Sequence, residues 1–223
     1  MANGFPNAPE QLLNIIKDTD TVSVLIDGYS ATQACKTIDI AIDWTKFGNM
    51  FREVGRLRKL HFYIVAPYQP DNCEQSWVKL QNWLVHNSFT VTSRTGYPFS
   101  YEVPHRNEQL KESVTLNSLK TGIEICITSD AMLEAHKGVD HVVLFTTNDD
   151  YAPLVENLQS VGTTVTVICN SLNAIKKLRG ENNGKNIPNA KIPVELIASA
   201  NNLLELTELE SFVCMAQTDE DKE

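Results

Sequence analysis

The chain has 223 residues, 42% of them hydrophobic, and a formal net charge of −9. That length fits one large domain, or one domain with a terminal extension. The acidic balance excludes nucleic-acid binding by bulk charge and disfavours a membrane surface, and no run approaches the roughly 18 apolar residues of a membrane span. The start, MANGFPNAPEQ, has neither a positive region nor an apolar core, so it does not read as a signal peptide. A soluble cytoplasmic protein with no membrane partner is expected. Cys35, Cys73, Cys126, Cys169 and Cys214 are scattered and never form a CxxC pair, which argues against a disulfide framework or a zinc site. The histidines show no ligand spacing either.

Residues 1–19 read as an N-terminal arm or helix, with a short apolar segment at Leu12–Ile16. Thr21–Asp27, TVSVLID, is the first strand, and Asp27-Gly28 reads as a turn pair. Residues 29–43 read as a long polar connection. Asp43 is placed to cap a helix over Trp44–Val54, with Trp44, Phe47, Met50, Phe51 and Val54 on one face. Leu60–Ala66 is a second strand, stopped by Pro67. A helix from Pro70 to about Asn87 turns Trp77, Leu80, Trp83 and Leu84 inward. Phe89–Arg94 is a third strand. Residues 95–119 are irregular, with a hairpin or lid at Tyr97–Val103, and Gly122–Lys137 is helical.

The stretch from His141 to Cys169 organises the rest. Val142–Phe145 suits a strand buried on both faces. Tyr151–Val161 has helical spacing, with Leu154, Val155, Leu158 and Val161 on one side, and Gly162 closes it. Thr163–Cys169 is a second β-branched run, so the whole is a βαβ unit with parallel strands. A short helix at Ser171–Leu178, a Gly/Asn loop at Glu181–Lys191 and a helix at Val194–Leu206 follow. The domain proper spans 20–180, a loop and C-terminal helix span 181–212, and an acidic disordered tail fills 213–223. Five strand signals alternating with helices predict an α/β, three-layer α/β/α domain around a mostly parallel five-stranded sheet.

Asp27 ends the first strand, and Asn148, Asp149 and Asp150 end the fourth. If these strands are central neighbours, their carboxyl ends meet where the strand order reverses, and ligands bind there in open parallel sheets. Glu124 lies in the first turn of the preceding helix. Converging carboxylates repel unless a cation sits between them, and an oxygen-rich acidic site suits Mg²⁺ or Mn²⁺ acting on a phosphodiester. Each residue also has a structural role open to it. Asp27 suits a strand-end turn, Asp150 a helix cap, and Glu124 a first-turn acid serving the helix dipole. Asp130 lies about 120° around the helix from Glu124, so it is a supporting or structural residue.

Three blocks give the chain a resemblance to the NYN family of PIN-like ribonuclease domains. VSVLIDGYS resembles an opening strand ending in Asp-Gly-x-Asn. GIEICITSDAM resembles a Gly-Val-Asp-Val block with a second Asp six positions on. FTTNDDYAPLVENLQSVGTTVTVI resembles Ser-Gly-Asp-x-Asp-Phe-x-Pro-Leu followed by helix, Gly and strand. The resemblance covers about residues 20–170 and implies a metal-dependent endoribonuclease that hydrolyses RNA phosphodiesters at an acidic Mg²⁺ or Mn²⁺ site. Asp27, Glu124 and Asp150 then stand as catalytic and metal-binding residues, with Asn148 as a further ligand. Ser30, Asp130 and Asp149 support them. The chain departs from the pattern at Ser30 (Asn in the family), Glu124 (Asp), Asn148 (Asp) and Thr147 (Gly).

An RNA partner, single-stranded or structured, needs local basic groups. Arg94, Arg106, Lys111 and Lys120 surround the irregular 95–119 segment, with Tyr97, Phe99 and Tyr101 among them, and such a mixture can clamp and stack RNA. The same aromatics also suit packing a hairpin onto the domain. Two readings stand side by side: a ribonuclease, or a catalytically degenerate module that binds RNA or protein. A homo-oligomer, the simplest being a homodimer, is a further expectation.

Overall fold

The structure, a computed structural model, describes residues 8–66, 74–104, 113–181 and 192–215. In chain order the elements are α1 (Glu10–Ile15), β1 (Thr21–Asp27), α2 (Gly28–Ile38), α3 (Trp44–Val54), β2 (Arg56–Ala66) and α4 (Glu74–His86). There follow β3 (Thr90–Thr95), β4 (Tyr97–Pro104), β5 (Ser113–Lys120), α5 (Ile123–His136) and β6 (His141–Phe145). A 3-10 turn (Asp149–Tyr151) then leads into α6 (Ala152–Ser160), β7 (Thr164–Cys169), α7 (Leu172–Glu181), α8 (Val194–Ser199), β8 (Asn202–Glu205) and α9 (Leu206–Val213).

Six parallel strands form one sheet in the order β3-β2-β1-β6-β7-β8. The sequence predicts five strands. The sixth, β8, lies inside the helix expected over Val194–Leu206. That helix breaks because Ala200 is extended, and Asn202–Glu205 then adds to the edge of β7. Asn201 fixes the addition, since its side-chain oxygen accepts from the Val165 amide at 2.8 Å.

Alternation along the strands divides the core. Val22, Val24 and Ile26 of β1 face one layer with Phe47, Met50 and Phe51 of α3 and Leu209 and Val213 of α9. Leu25 of β1 faces the other with Ile123 and Ile127 of α5, Leu154, Val155 and Leu158 of α6, and Leu196 of α8. Asp43 accepts from the Thr45 and Lys46 amides and so starts α3, as its position predicts. Gly162 has φ +89°, the left-handed conformation in which glycine ends α6 cheaply.

Residues 29–43, expected as a polar connection, instead hold α2. Its inward face is built from small residues, Ala31, Ala34 and Cys35, so it carries no large-residue periodicity to read. Small residues let the helix lie close to the sheet. A Cβ on Gly28 would stand 2.4 Å from Phe62 Cε1 and 2.7 Å from the Tyr63 carbonyl oxygen. On α4 only Leu84 of the expected inward set is fully buried, while Leu80 and Trp83 are exposed. Val161, also expected inward, is exposed because α6 ends at Ser160. The segment 97–103 does enter a hairpin: β4 pairs antiparallel with β5, apart from the main sheet.

Candidate active site

The strand order reverses between β1 and β6, and both strands end their ladder at this point, with Ile26 opposite Phe145. The crevice beyond the carboxyl ends is where an open parallel sheet receives ligands. Asp27 is the last residue of β1 and the N-cap of α2 at once. Its Oδ1 accepts from the Ser30 amide at 3.2 Å, and its Oδ2 accepts from Ser30 Oγ at 2.7 Å and from Thr146 Oγ1 at 3.3 Å. Thr146 Oγ1 also lies 3.3 Å from Ser30 Oγ and accepts from the Asn148 amide at 3.2 Å. One hydroxyl thus ties the end of β1 to the loop after β6.

Burial pushes the Asp27 carboxyl above the usual carboxylate range, and the negative charge of Glu124 adds to the rise. The hydrogen bonds from Ser30 and Thr146 oppose it without cancelling it. Glu124 sits exposed in the first turn of α5, where its Oε2 accepts from Thr121 Oγ1 at 3.3 Å. Asp150 sits exposed in the 3-10 turn. Tyr151, the next residue, is buried. Burial drives its phenol well above the usual range, and the charges of Asp27, Glu124 and Asp150 all add to that rise. The three carboxylates named from the sequence therefore all act on the pKa of one buried phenol.

The remaining polar residues of the motif have local tasks. Asn148, not Asp150, caps the turn: its side-chain oxygen accepts from the Asp150 amide at 3.4 Å. An Asn in that place offers the cap without a fourth negative charge. Asp149 Oδ1 accepts from the Glu195 and Leu196 amides at 3.1 and 3.2 Å, and so holds the start of α8. Asp130 turns toward β2. It accepts from Tyr63 Oη at 2.6 Å, and Lys59 Nζ and His61 Nδ1 lie 3.5 and 3.2 Å from it, the last without hydrogen-bond alignment. Tyr63 is opposite Asp27 in the β1–β2 ladder, so Asp130 is one side chain removed from the carboxylates.

Arg94 and Lys120 are exposed at the ends of β3 and β5. Arg94 Nε reaches Cys126 Sγ at 3.4 Å. Arg106 and Lys111 lie outside the described residues, as do the side chains of Phe99 and Tyr101; Tyr97 is exposed. The sequence reading missed Thr146 and Tyr151. The signal for both was present, since they occupy the Ser and Phe places of the motif that FTTNDDYAPL resembles.

Among the described residues, no three His, Cys, Asp or Glu side chains group closely enough to enclose a metal ion. The donor set present, a buried carboxylate whose ionised form Glu124 disfavours, does not fit a closed protein cage. It fits a hydrated cation such as Mg²⁺, held through one or two carboxylates, water and substrate phosphate oxygens. Among the described residues no helix is long and apolar enough to cross a membrane.

A search of curated proteins finds no match to the sequence. Among solved structures, the fold is similar to that of a protein of unknown function from Vibrio parahaemolyticus. The TM-score is 0.57 and the identity 19%, over 85% of this chain and 94% of that one, a likeness of fold alone. A family model, NYN domain, matches residues 21–187. That span includes the sheet from β1 to β7 and every carboxylate of the crevice, and the chain belongs to the NYN domain family, a branch of the PIN-like nuclease superfamily.

Proposed function

We propose that the chain is a divalent-metal-dependent endoribonuclease. NYN domains generally bind RNA, and PIN-like nucleases generally depend on divalent metals. The observation that carries the reading is Asp27, buried at the carboxyl end of β1 where the strand order reverses and bonded there to Ser30 and to Thr146 beyond β6. Asp27 and Glu124 would hold Mg²⁺ or Mn²⁺, with Asp150 and the side-chain oxygen of Asn148 facing its water shell. When bound, such a cation neutralises charge on a phosphodiester and lowers the pKa of a coordinated water.

The chain's own groups supply the rest. Ser30 and Thr146 fix both oxygens of Asp27, so the carboxylate meets a cation without reorganising. Burial makes Asp27 costly to ionise alone, and a cation offsets that cost. Asp150, exposed in the turn after β6, can take the proton released by the attacking water. In the reaction a bond forms from water oxygen to phosphorus and one P–O ester bond breaks. Arg94 and Lys120 would neutralise flanking phosphates, positioning the strand without reading its sequence.

The test is incubation of the full chain with single-stranded and structured RNA in Mn²⁺, beside Asp27→Asn and Glu124→Gln. Cleavage by the parent chain, lost in both variants and on chelation, is the expected result. RNA binding without cleavage would replace this reading with that of a non-catalytic RNA-binding module.

A further inference from the structure

The Tyr151 hydroxyl is a buried polar group that the reading above leaves idle. Tyr151 is 1% exposed, and its hydroxyl has no hydrogen-bond partner among the described residues. The carboxylates nearby bond to other groups: Asp27 accepts from Ser30 and Thr146, and Asp130 accepts from Tyr63. A buried, unpaired hydroxyl destabilises a fold, and a phenylalanine, the residue of the resembled motif, would fill the same space without that cost. Tyr151 directly follows Asp150 and packs in the same core layer as Ile123, the neighbour of Glu124, and Leu25, two residues before Asp27.

We propose that the Tyr151 hydroxyl donates a hydrogen bond to a non-bridging oxygen of the RNA phosphodiester held among Asp27, Glu124 and Asp150. The inference rests on the ribonuclease reading of the site. A phosphate oxygen is an acceptor that a substrate brings to this hydroxyl, which has none among the described residues. A hydrogen bond from a neutral donor to a charged oxygen is stronger than one to a neutral acceptor, and a dry site strengthens it further.

Tyr151→Phe tests this, because deleting an unpaired hydroxyl and deleting a substrate contact have opposite signatures. Three measurements on the full chain suffice. These are thermal unfolding without RNA, fluorescence anisotropy with a short labelled single-stranded RNA in Ca²⁺, and cleavage of the same RNA in Mn²⁺. The expected variant melts at or above the parent temperature, binds the RNA about tenfold more weakly, and cleaves with a raised KM. A variant that melts lower and binds the RNA as the parent does shows that the hydroxyl serves the fold, and overturns the proposal. Cleavage and affinity equal to the parent's overturn the proposal alone and leave the ribonuclease reading intact. A parent chain that neither binds nor cleaves RNA overturns both.

Discussion

Replacing Asp27 by Asn and by Ala separates two tasks of one side chain. As N-cap of α2 it accepts from the Ser30 amide at 3.2 Å, and Asn caps a helix as well as Asp does. The Asn amide can donate to Ser30 Oγ and Thr146 Oγ1, which accept as readily as they donate. The fold therefore keeps its hydrogen bonds and loses only a charge. That charge is a burden, since burial and Glu124 hold the Asp27 pKa above its ordinary 3.8. A carboxyl whose folded pKa is raised contributes stability below its unfolded pKa, and that contribution is lost as pH rises through the folded value. At pH 7.5 the Asn variant is expected to match or exceed the parent in urea unfolding, and the two converge as pH falls toward 3.8. Asp27→Ala loses the cap and leaves Ser30 Oγ short of an acceptor, which costs about 1–2 kcal/mol. Both variants should cleave RNA at least about a hundredfold more slowly, since a metal ligand supplies several kcal/mol of transition-state stabilisation. An Asn variant as unstable as the Ala variant would refute the claim that the charge burdens the fold. An Asn variant that cleaves at the parent rate would remove Asp27 from the site.

Gly28→Ala should destabilise the chain by about 1–3 kcal/mol in urea unfolding, because the added Cβ meets the Tyr63 carbonyl at 2.7 Å as well as the Phe62 ring. Wild-type stability there would mean that α2 stands further from the sheet. Asp149→Ala should cost about 1 kcal/mol by freeing the α8 amides of Glu195 and Leu196, with RNA cleavage kept within a few-fold. Loss of cleavage in a stable Asp149→Ala chain would place Asp149 at the chemistry. Burial holds both His61 and His141 down to about 4, with Lys59 adding to the shift at His61 against Asp130 and Glu134, and Asp20 opposing it at His141. Depressed histidines give stability that is full above pH 6.5 and lost as pH falls toward 4, up to about 3 kcal/mol each. His141→Gln should flatten that acid limb, and an unchanged slope would show that His141 is not its source.

The parallel sheet was legible because its strands are buried on both faces and read as unbroken apolar runs, Val142–Phe145 most plainly. The pairing of β1 with β6 stood in the sequence only as a condition for their polar ends to meet, and the ladder supplies it. Two elements were illegible for definite reasons. Helix α2 packs through Ala31, Ala34 and Cys35, too small to mark a hydrophobic period. Strand β8 has only four residues, and its leucines at 203 and 204 continue the spacing of the helix before it. In the site, acids announce themselves by type, so Asp27, Glu124 and Asp150 could be named as candidates. Sequence spacing cannot say which polar residue caps and which faces a ligand. Asn148 and Asp149 accept capping hydrogen bonds, while Thr146 and Tyr151 were passed over because neither is an acid, although both hold places of the resembled motif.

The family match stops at residue 187, yet the cooperative unit does not. Leu196 belongs to one core layer, and Leu204, Leu206, Leu209 and Val213 to the other. A chain cut at the match boundary would leave β7 as an open edge of unpaired amides and carbonyls flanked by Val165, Val167 and Ile168. Such a ribbon recruits other chains. It would also release Asp149, and with it the turn that carries Asp150. Aggregation and a slack crevice would then arrive together, and a dead preparation would say nothing about chemistry. A recombinant domain has to run at least to Met215, whose amide closes on the Ala41 carbonyl.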